Sequence, residues 1–265
     1  MTAVDRTLIE AAARKLRDAH ETGTPVPPLN ADIPADDLEA GYAIQDINTD
    51  LWIADGRRLV GRKTGLTAKA VQAQLGVDQP DYGMLFADMA YADGEEVPMS
   101  RLIQPKIEGE IAFILGRDLD REGLTMADVL RSVDYAVAAF EIVDSRIADW
   151  KIKIMDTIAD NASSGLYVLG TQPRTLDAFD PWSCGMVVEH EGEPISSGTG
   201  AACLGNPLTA TLWLARKMVE VGRPLMAGET ILSGALGPMA PVKAGGVYEL
   251  RISGLGSVRA VFSGE

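Results

Sequence analysis

The sequence predicts an α+β fold, with helices gathered in the first 57 residues and strands dominating the remainder. Three observations predict it. Two amphipathic helical stretches lie near the N-terminus. The segment 106–115, K-I-E-G-E-I-A-F-I-L, alternates with the two-residue period of a β-strand. The last third is a series of short apolar runs separated by glycine-rich turns. No G-x-G-x-x-G opens a helix, which disfavours a dinucleotide-binding doubly wound sheet. Two parts are expected, a helical portion over 1–57 and a larger strand-rich domain over 58–265.

At 265 residues, 46% hydrophobic and 23% charged, the chain can bury a substantial core. Its net charge of −14 repels phosphate backbones and anionic lipid, so no nucleic-acid or membrane partner is expected. Part of that excess fits carboxylates gathered around a cation. Cys184 and Cys203 alone offer neither a disulfide framework nor zinc-ligand spacing, and they suit a reducing cytosol. The N-terminus lacks the apolar core of a signal peptide, and no apolar run reaches about 18 residues. A cytoplasmic protein is expected. The only histidines are His20 and His190, so acid–base chemistry falls to carboxylates and lysine.

Taken in order, residues 5–21 place Leu8, Ala12, Leu16 and Ala19 on one helical stripe, with Gly23 as the stop. A proline-rich connector fills 24–34. Asp36, with Glu39 three residues on, has the form of a capping box for a second helix reaching about residue 55. A strand is expected at 58–66, a short helix at 67–75, and turn chemistry from residue 78 that carries Asp81. Thr125 caps a helix to residue 133, and Y-A-V-A-A-F-E-I-V at 135–143 is a second buried strand. The hydroxyl-rich segment 156–165 reads as a polar loop before a strand at 166–169. Strands at 185–190 and 194–198 flank an E-G turn as a hairpin. Asn206 and Pro207 open a helix to about residue 221, as N-cap and first helical residue. Strands at 230–234, 247–253 and 257–262 complete the chain.

The chemistry concentrates on two of these strands. Glu108 and Glu110 share one face of the 106–115 strand, roughly 6.6–6.8 Å apart along it. Their side chains are long enough to converge on one hard cation; an edge strand with solvated charges would look the same. Glu141 interrupts an otherwise apolar strand, where a carboxylate is costly unless paired or metal-bound. Together the three form an oxygen-rich triad. Lys63 lies in a short apolar element between Gly61 and Gly65, which admit a close backbone approach; a solvated strand lysine is the alternative. Asp81 reads equally as a turn cap. Asp160, Asn161 and Ser163 line either a pocket or a plain connector.

Several ordered blocks carry a family resemblance: G-R-K-T-G-L-T at 61–67, L-G-V-D-Q-P-D-Y-G at 75–83, L-F-A-D-M at 85–89 and Q-P-K-I-E-G-E-I-A at 104–112. E-I-V-D-S-R at 141–146, D-N-A-S-S-G at 160–165, L-G-N-P-L at 204–208 and I-L-S-G-A-L-G-P-M at 231–239 continue it. From residue 42 to 262 the chain resembles the 2-keto-4-pentenoate hydratases (2-hydroxypenta-2,4-dienoate hydratases) of the fumarylacetoacetate hydrolase-like superfamily. The resemblance implies a mixed β-sandwich roll as the catalytic domain over 58–265, joined to the N-terminal helical portion. It implies a divalent metal, Mg²⁺ or Mn²⁺, held by Glu108, Glu110 and Glu141, with Lys63 and Asp81 as acid–base groups. Ser163 and Ser233, with Asp160, Asn161 and Lys63, would contact a small 2-hydroxy-dienoate or 2-oxo acid. It further implies a homo-oligomer, as large as a decamer, and association with 4-oxalocrotonate decarboxylase. That decarboxylase and an acylpyruvate-type hydrolase are the rival activities on the same scaffold. A catalytic histidine of the hydrolase kind has no counterpart in the matching blocks. A non-catalytic partner would show a broken triad or lack Lys63, and neither is the case.

Overall fold

The alternating segment becomes β5 (Lys106–Leu115), the middle strand of a mixed eight-stranded sheet in a computed structural model that describes residues 4–75 and 77–264. From one end the order is β2 (Asp81–Phe86), β1 (Leu59–Gly65), β10 (Thr230–Leu232), β5, β6 (Val133–Val143), β7 (Ser164–Leu169) and β3 (Ala90–Ala92). The short β11 (Ala240–Pro241) pairs with the start of β5. β5 is therefore hydrogen-bonded on both sides, and its charges are not those of an edge strand. β1 with β10 and β3 with β7 run parallel; the other pairs in this sheet are antiparallel.

A second sheet of five strands runs β4 (Glu96–Val97), β13 (Gly256–Phe262), β12 (Val247–Ile252), β8 (Gly185–His190) and β9 (Glu193–Thr199). The β8–β9 hairpin turns at Glu191 and Gly192, both at positive φ (56° and 83°), which matches the right-handed twist of the strands. The two sheets pack through the odd-numbered face of β5. Ile107, Ile111 and Phe113 are fully buried there, and their register partners on β6 are Ile142, Ala138 and Ala136. Phe140 pairs with Gly109, where a Cβ would stand 2.8 Å from Leu250 Cδ1 of the second sheet. Glycine lets the sheets close at that point. The pleat consequently sends Glu108 and Glu110 to the opposite face.

The helices are α1 (Arg6–Thr22), α2 (Leu38–Ala54), α3 (Lys69–Leu75), α4 (Met126–Ser132), α5 (Ile154–Ala159) and α6 (Pro207–Glu220). Asp5 caps α1 and Gly23 ends it at φ 65°. The cap of α2 is Asp37 rather than Asp36: Asp37 accepts a 3.0 Å hydrogen bond from the Ala40 N–H. A second apolar cluster joins Ala12, Ala13 and Leu16 of α1 and Ala40 and Ile44 of α2 to Ile147, Met155 and Ala159. The N-terminal helices are thus fastened to the strand-rich part through α5.

Two expected elements differ. Asp81 begins strand β2 instead of sitting in a turn, because β2 is buried along its whole length and pairs with β1. The expected polar loop at 156–165 begins inside α5, all six residues of which are buried. A helix covered on every side has no polar face, so no 3.6-residue periodicity signals it.

Phe140→Ala empties part of the contact between the two sheets. The expected loss is about 3–5 kcal/mol of stability, read as a lower denaturant midpoint with an unchanged slope.

Candidate active site

Four strands present their polar residues on the face of the large sheet turned away from the second one. Glu108 lies directly opposite Glu141 in the β5–β6 register, and Glu110 is two residues further along the same face. One carboxylate oxygen from each of the three lies within 4.8 Å of the others. Like charges placed directly opposite are destabilising, and here they are shielded from water: Glu110 and Glu141 are buried, while Glu108 is partly open. Glu110 Oε2 accepts a 2.8 Å hydrogen bond from the Gly234 N–H. Its other oxygen and both oxygens of Glu141 have no hydrogen-bond partner. Orphaned buried oxygens converging on one point, all hard ligands, fit a divalent cation such as Mg²⁺ or Ca²⁺.

Lys63 enters from β1. In register it matches Leu232 of β10, which matches Ala112 of β5, so Lys63 shares the face of Glu108 and Glu110. Its Nζ lies 3.1 Å from Glu141 Oε1, a charge contact without hydrogen-bond alignment. Lys63 is 3% exposed. Burial would lower its pKa, but Glu141, Asp81, Glu108 and Glu110 together hold it above the usual lysine range. The group stays an ammonium.

Asp81 stands opposite Gly65 across β1 and β2. A Cβ on Gly65 would overlap the Asp81 carboxylate and approach Lys63 Nζ to 3.2 Å. The absent side chain therefore leaves room for both the Asp81 carboxylate and the Lys63 ammonium. Burial pushes the Asp81 carboxyl up to about 6; Lys63 opposes the shift and Glu141 adds to it. Burial and the charge of Glu141 raise Glu108 to about 7, and burial followed by Glu141 and Glu108 raises Glu110 well above its ordinary value.

The remaining expected residues divide. Ser233 follows β10, directly before Gly234; it is fully buried and its Oγ lacks a partner. Beside it, burial pushes the Cys203 thiol up to about 12, and its Sγ donates to the Ser233 carbonyl at 3.1 Å. Ser163 Oγ is 3.1 Å from Thr157 Oγ1. Asp160 is bound by Arg146, and the Asn161 amide bonds both main-chain groups of Met84. The last two side chains are thus engaged within the fold. His190 stacks on Tyr248 of the second sheet and His20 lies against Trp52, so neither joins the carboxylate cluster. Gly65, expected only to admit a close backbone approach near Lys63, gains its role from its pairing with Asp81, and Gly234 gains its own from the hydrogen bond to Glu110.

Helices flanking two packed sheets, with an acidic triad across the adjacent strands β5 and β6, place the chain among fumarylacetoacetate hydrolase-type proteins. The chain belongs to this family: the model for the fumarylacetoacetate (FAA) hydrolase C-terminal region matches residues 56–263. The chain is 59% identical over 255 residues to the TodF product hydratase of Pseudomonas putida, covering 96% of this chain and 95% of that one. It is 55% identical to the 2-keto-4-pentenoate hydratase of Burkholderia vietnamiensis, over 98% of this chain and 99% of the relative. Among solved structures, 4-oxalocrotonate decarboxylase from Pseudomonas putida G7, complexed with magnesium and adipate, superposes with a TM-score of 0.93. That match is 34% identical and covers 98% of this chain and 99% of the decarboxylase. No helix among the described residues is long and apolar enough to cross a membrane.

Two outcomes are expected from this geometry. A carboxyl whose folded pKa exceeds its unfolded value holds its proton more tightly in the folded state, so stability falls as pH rises between the two values. For Glu108 that window runs from 4.5 to about 7. Without metal, the melting temperature should fall across it; added Mg²⁺ should raise the melting temperature more at pH 8 than at pH 5, because protons compete with the cation. A melting temperature equally indifferent to Mg²⁺ at both pH values would contradict a cation site on the triad. Gly65→Ala should displace the Asp81 carboxylate and cut turnover by about 100-fold while Mg²⁺ still raises the melting temperature.

Proposed function

We propose that the chain is a metal-dependent hydratase that adds water to 2-hydroxypenta-2,4-dienoate (2-keto-4-pentenoate) to give 4-hydroxy-2-oxopentanoate. This is a hydro-lyase reaction within the meta-cleavage catabolism of aromatic compounds. The observation that carries it is the full-length identity of 54–59% to named hydratases in a chain that keeps the triad. The near-superposition on a decarboxylase does not favour the rival activity, since one scaffold hosts several chemistries. Identity to that decarboxylase is 34%. Similarity to fumarylpyruvate hydrolase, at 14% identity, speaks for the fold alone.

Glu108, Glu110 and Glu141 would hold the cation, Mg²⁺ or Mn²⁺. When bound, it supplies Lewis acidity towards the substrate's 1-carboxylate and 2-oxygen. The Lys63 ammonium, pinned beside Glu141, donates to the 2-oxygen and stabilises the negative charge that gathers there as the 2-hydroxyl proton leaves. One proton delivered to C5 balances the one lost from the 2-hydroxyl, which converts the dienol into the isomeric, conjugated 2-oxo-3-enoate. Asp81, ionised at neutral pH, takes a proton from the water whose oxygen joins C4; the equivalent proton goes to C3, so one water is added overall and the carboxylate is regenerated. Ser233 Oγ, buried without a partner one residue from the Glu110 anchor, orients the substrate's carboxylate together with Ser163. The wider setting is a cytoplasmic homo-oligomer able to associate with 4-oxalocrotonate decarboxylase; the two buried free cysteines suit a reducing compartment.

The test is a mass balance on 2-hydroxypenta-2,4-dienoate and 4-oxalocrotonate, each with Mg²⁺, with Mn²⁺ and after chelation. Metal-dependent loss of the dienoate absorbance, with a product heavier by one water, is expected. Release of CO₂ from 4-oxalocrotonate without action on the dienoate would transfer the assignment to the decarboxylase. Glu110→Gln should abolish metal-dependent turnover with the fold retained. The pH profile should lose activity as pH falls through about 6, where Asp81 gains its proton. Asp81→Asn should remove that limb along with most of the activity.

A further inference from the structure

Asn161, Ala162 and Ser163 follow α5 with φ of 53°, 52° and 52°, three successive left-handed residues none of which is glycine. L-residues avoid this region, and Ala has no side chain with which to compensate. Such a turn persists only where its surroundings impose it. Two sets of bonds do so. The Asn161 amide mimics a neighbouring strand: its Oδ1 accepts from the Met84 N–H at 2.7 Å, and its Nδ2 donates to the Met84 carbonyl at 2.9 Å. Arg146 brackets the turn from both sides. Its Nη2 donates to the Asp160 carbonyl at 2.7 Å and its Nη1 to the Ser164 carbonyl at 3.0 Å. Its Nε and main-chain N–H bind the two oxygens of the Asp160 carboxylate.

The turn so held lies against the site. Gly83, the register partner of Lys63 and two residues from Asp81 on the same face of β2, has no side chain because the Asn161 carbonyl occupies that place. A Cβ there would overlap Asn161 O. We infer that Arg146 is a positioning residue for the hydration: it holds the Asn161–Ser163 turn against Gly83, next to Lys63 and Asp81. Arg146 itself touches none of the reacting groups. The planar five-donor fork of arginine is what binds two carbonyls and a carboxylate at once; a lysine ammonium keeps the charge and loses the bracket. The inference rests on the hydratase reading for its activity readout.

The test uses Gly83→Ala and Arg146→Lys in the full chain, so that a folding failure of one leaves the other decisive. Measured for each are kcat and KM on the dienoate, Mn²⁺ affinity by paramagnetic resonance, oxalate affinity of the Mn²⁺-loaded protein, and amide exchange across 158–165. The expected result is kcat lower by about 100-fold, faster exchange in the turn, and Mn²⁺ affinity within about twofold of the parent. A kcat within about twofold of the parent despite faster exchange would overturn the inference, as would Mn²⁺ affinity falling in step with kcat. If the parent protein leaves the dienoate unchanged, the hydratase reading fails. The positioning role is then judged on oxalate: about tenfold weaker binding in both variants sustains it, and unchanged binding removes it.

Discussion

Two glutamates facing each other across neighbouring strands set the terms for the rest of the structure. Glu108 and Glu141 are register partners, so the β5–β6 pairing itself forces their charges together, with Glu110 one pleat away. Such a cluster is unfavourable inside a protein unless opposite charge is brought to it. Lys63 supplies one positive charge from β1, and the arrangement of unpaired oxygens is what a dication completes. Lys63 reaches the cluster because the short parallel β10 spaces β1 at the right distance from β5. Strand order and chemistry are one constraint.

The opposite face of the same strands explains why the cluster stays in place. Ile107, Ile111 and Phe113 on β5 and Phe140 and Ile142 on β6 are fully buried against the second sheet. A one-residue slip of β5 would exchange its two faces, burying glutamates between the sheets and exposing the core. The apolar packing therefore fixes register, and register fixes the triad. Glycines supply clearance where the backbone alone leaves too little room: Gly109 between the sheets, Gly65 under Asp81, and Gly83 under Asn161.

The surroundings of the site differ in character from the sheet that carries it. Around Lys63 and Asp81 the sheet supplies rigid strands, whereas the facing wall is an irregular turn with no regular hydrogen-bond ladder. Side chains replace the ladder: Asn161 pairs with β2 as a strand would, and Arg146 joins carbonyls on either side of the turn. These bonds cover the outer edge of β2 at Met84, and Lys63 and Asp81 are both buried. The 4-oxalocrotonate decarboxylase shares this scaffold at a TM-score of 0.93, so sheet order alone does not separate the two named activities.

The sequence by itself determined the strand–face logic and the ligand types. Period-two alternation placed Glu108 and Glu110 on one side, and the isolation of Glu141 in an apolar run marked it as a charge in need of a partner. Helix boundaries in the N-terminal portion were legible because caps and amphipathic stripes are local signals. Tertiary structure alone decided the rest. Whether β5 was an edge or a centre depended on β10, more than 110 residues away. The helix α5 carries no amphipathic pattern because it is buried on all sides. Asp81 became a buried strand acid, instead of a turn cap, through pairing with Gly65. The roles of Gly65, Gly83 and Arg146 follow from contacts between segments far apart in the chain. A sequence records which residues prefer which face; the distances that turn those faces into a site arise only when non-local strands pair.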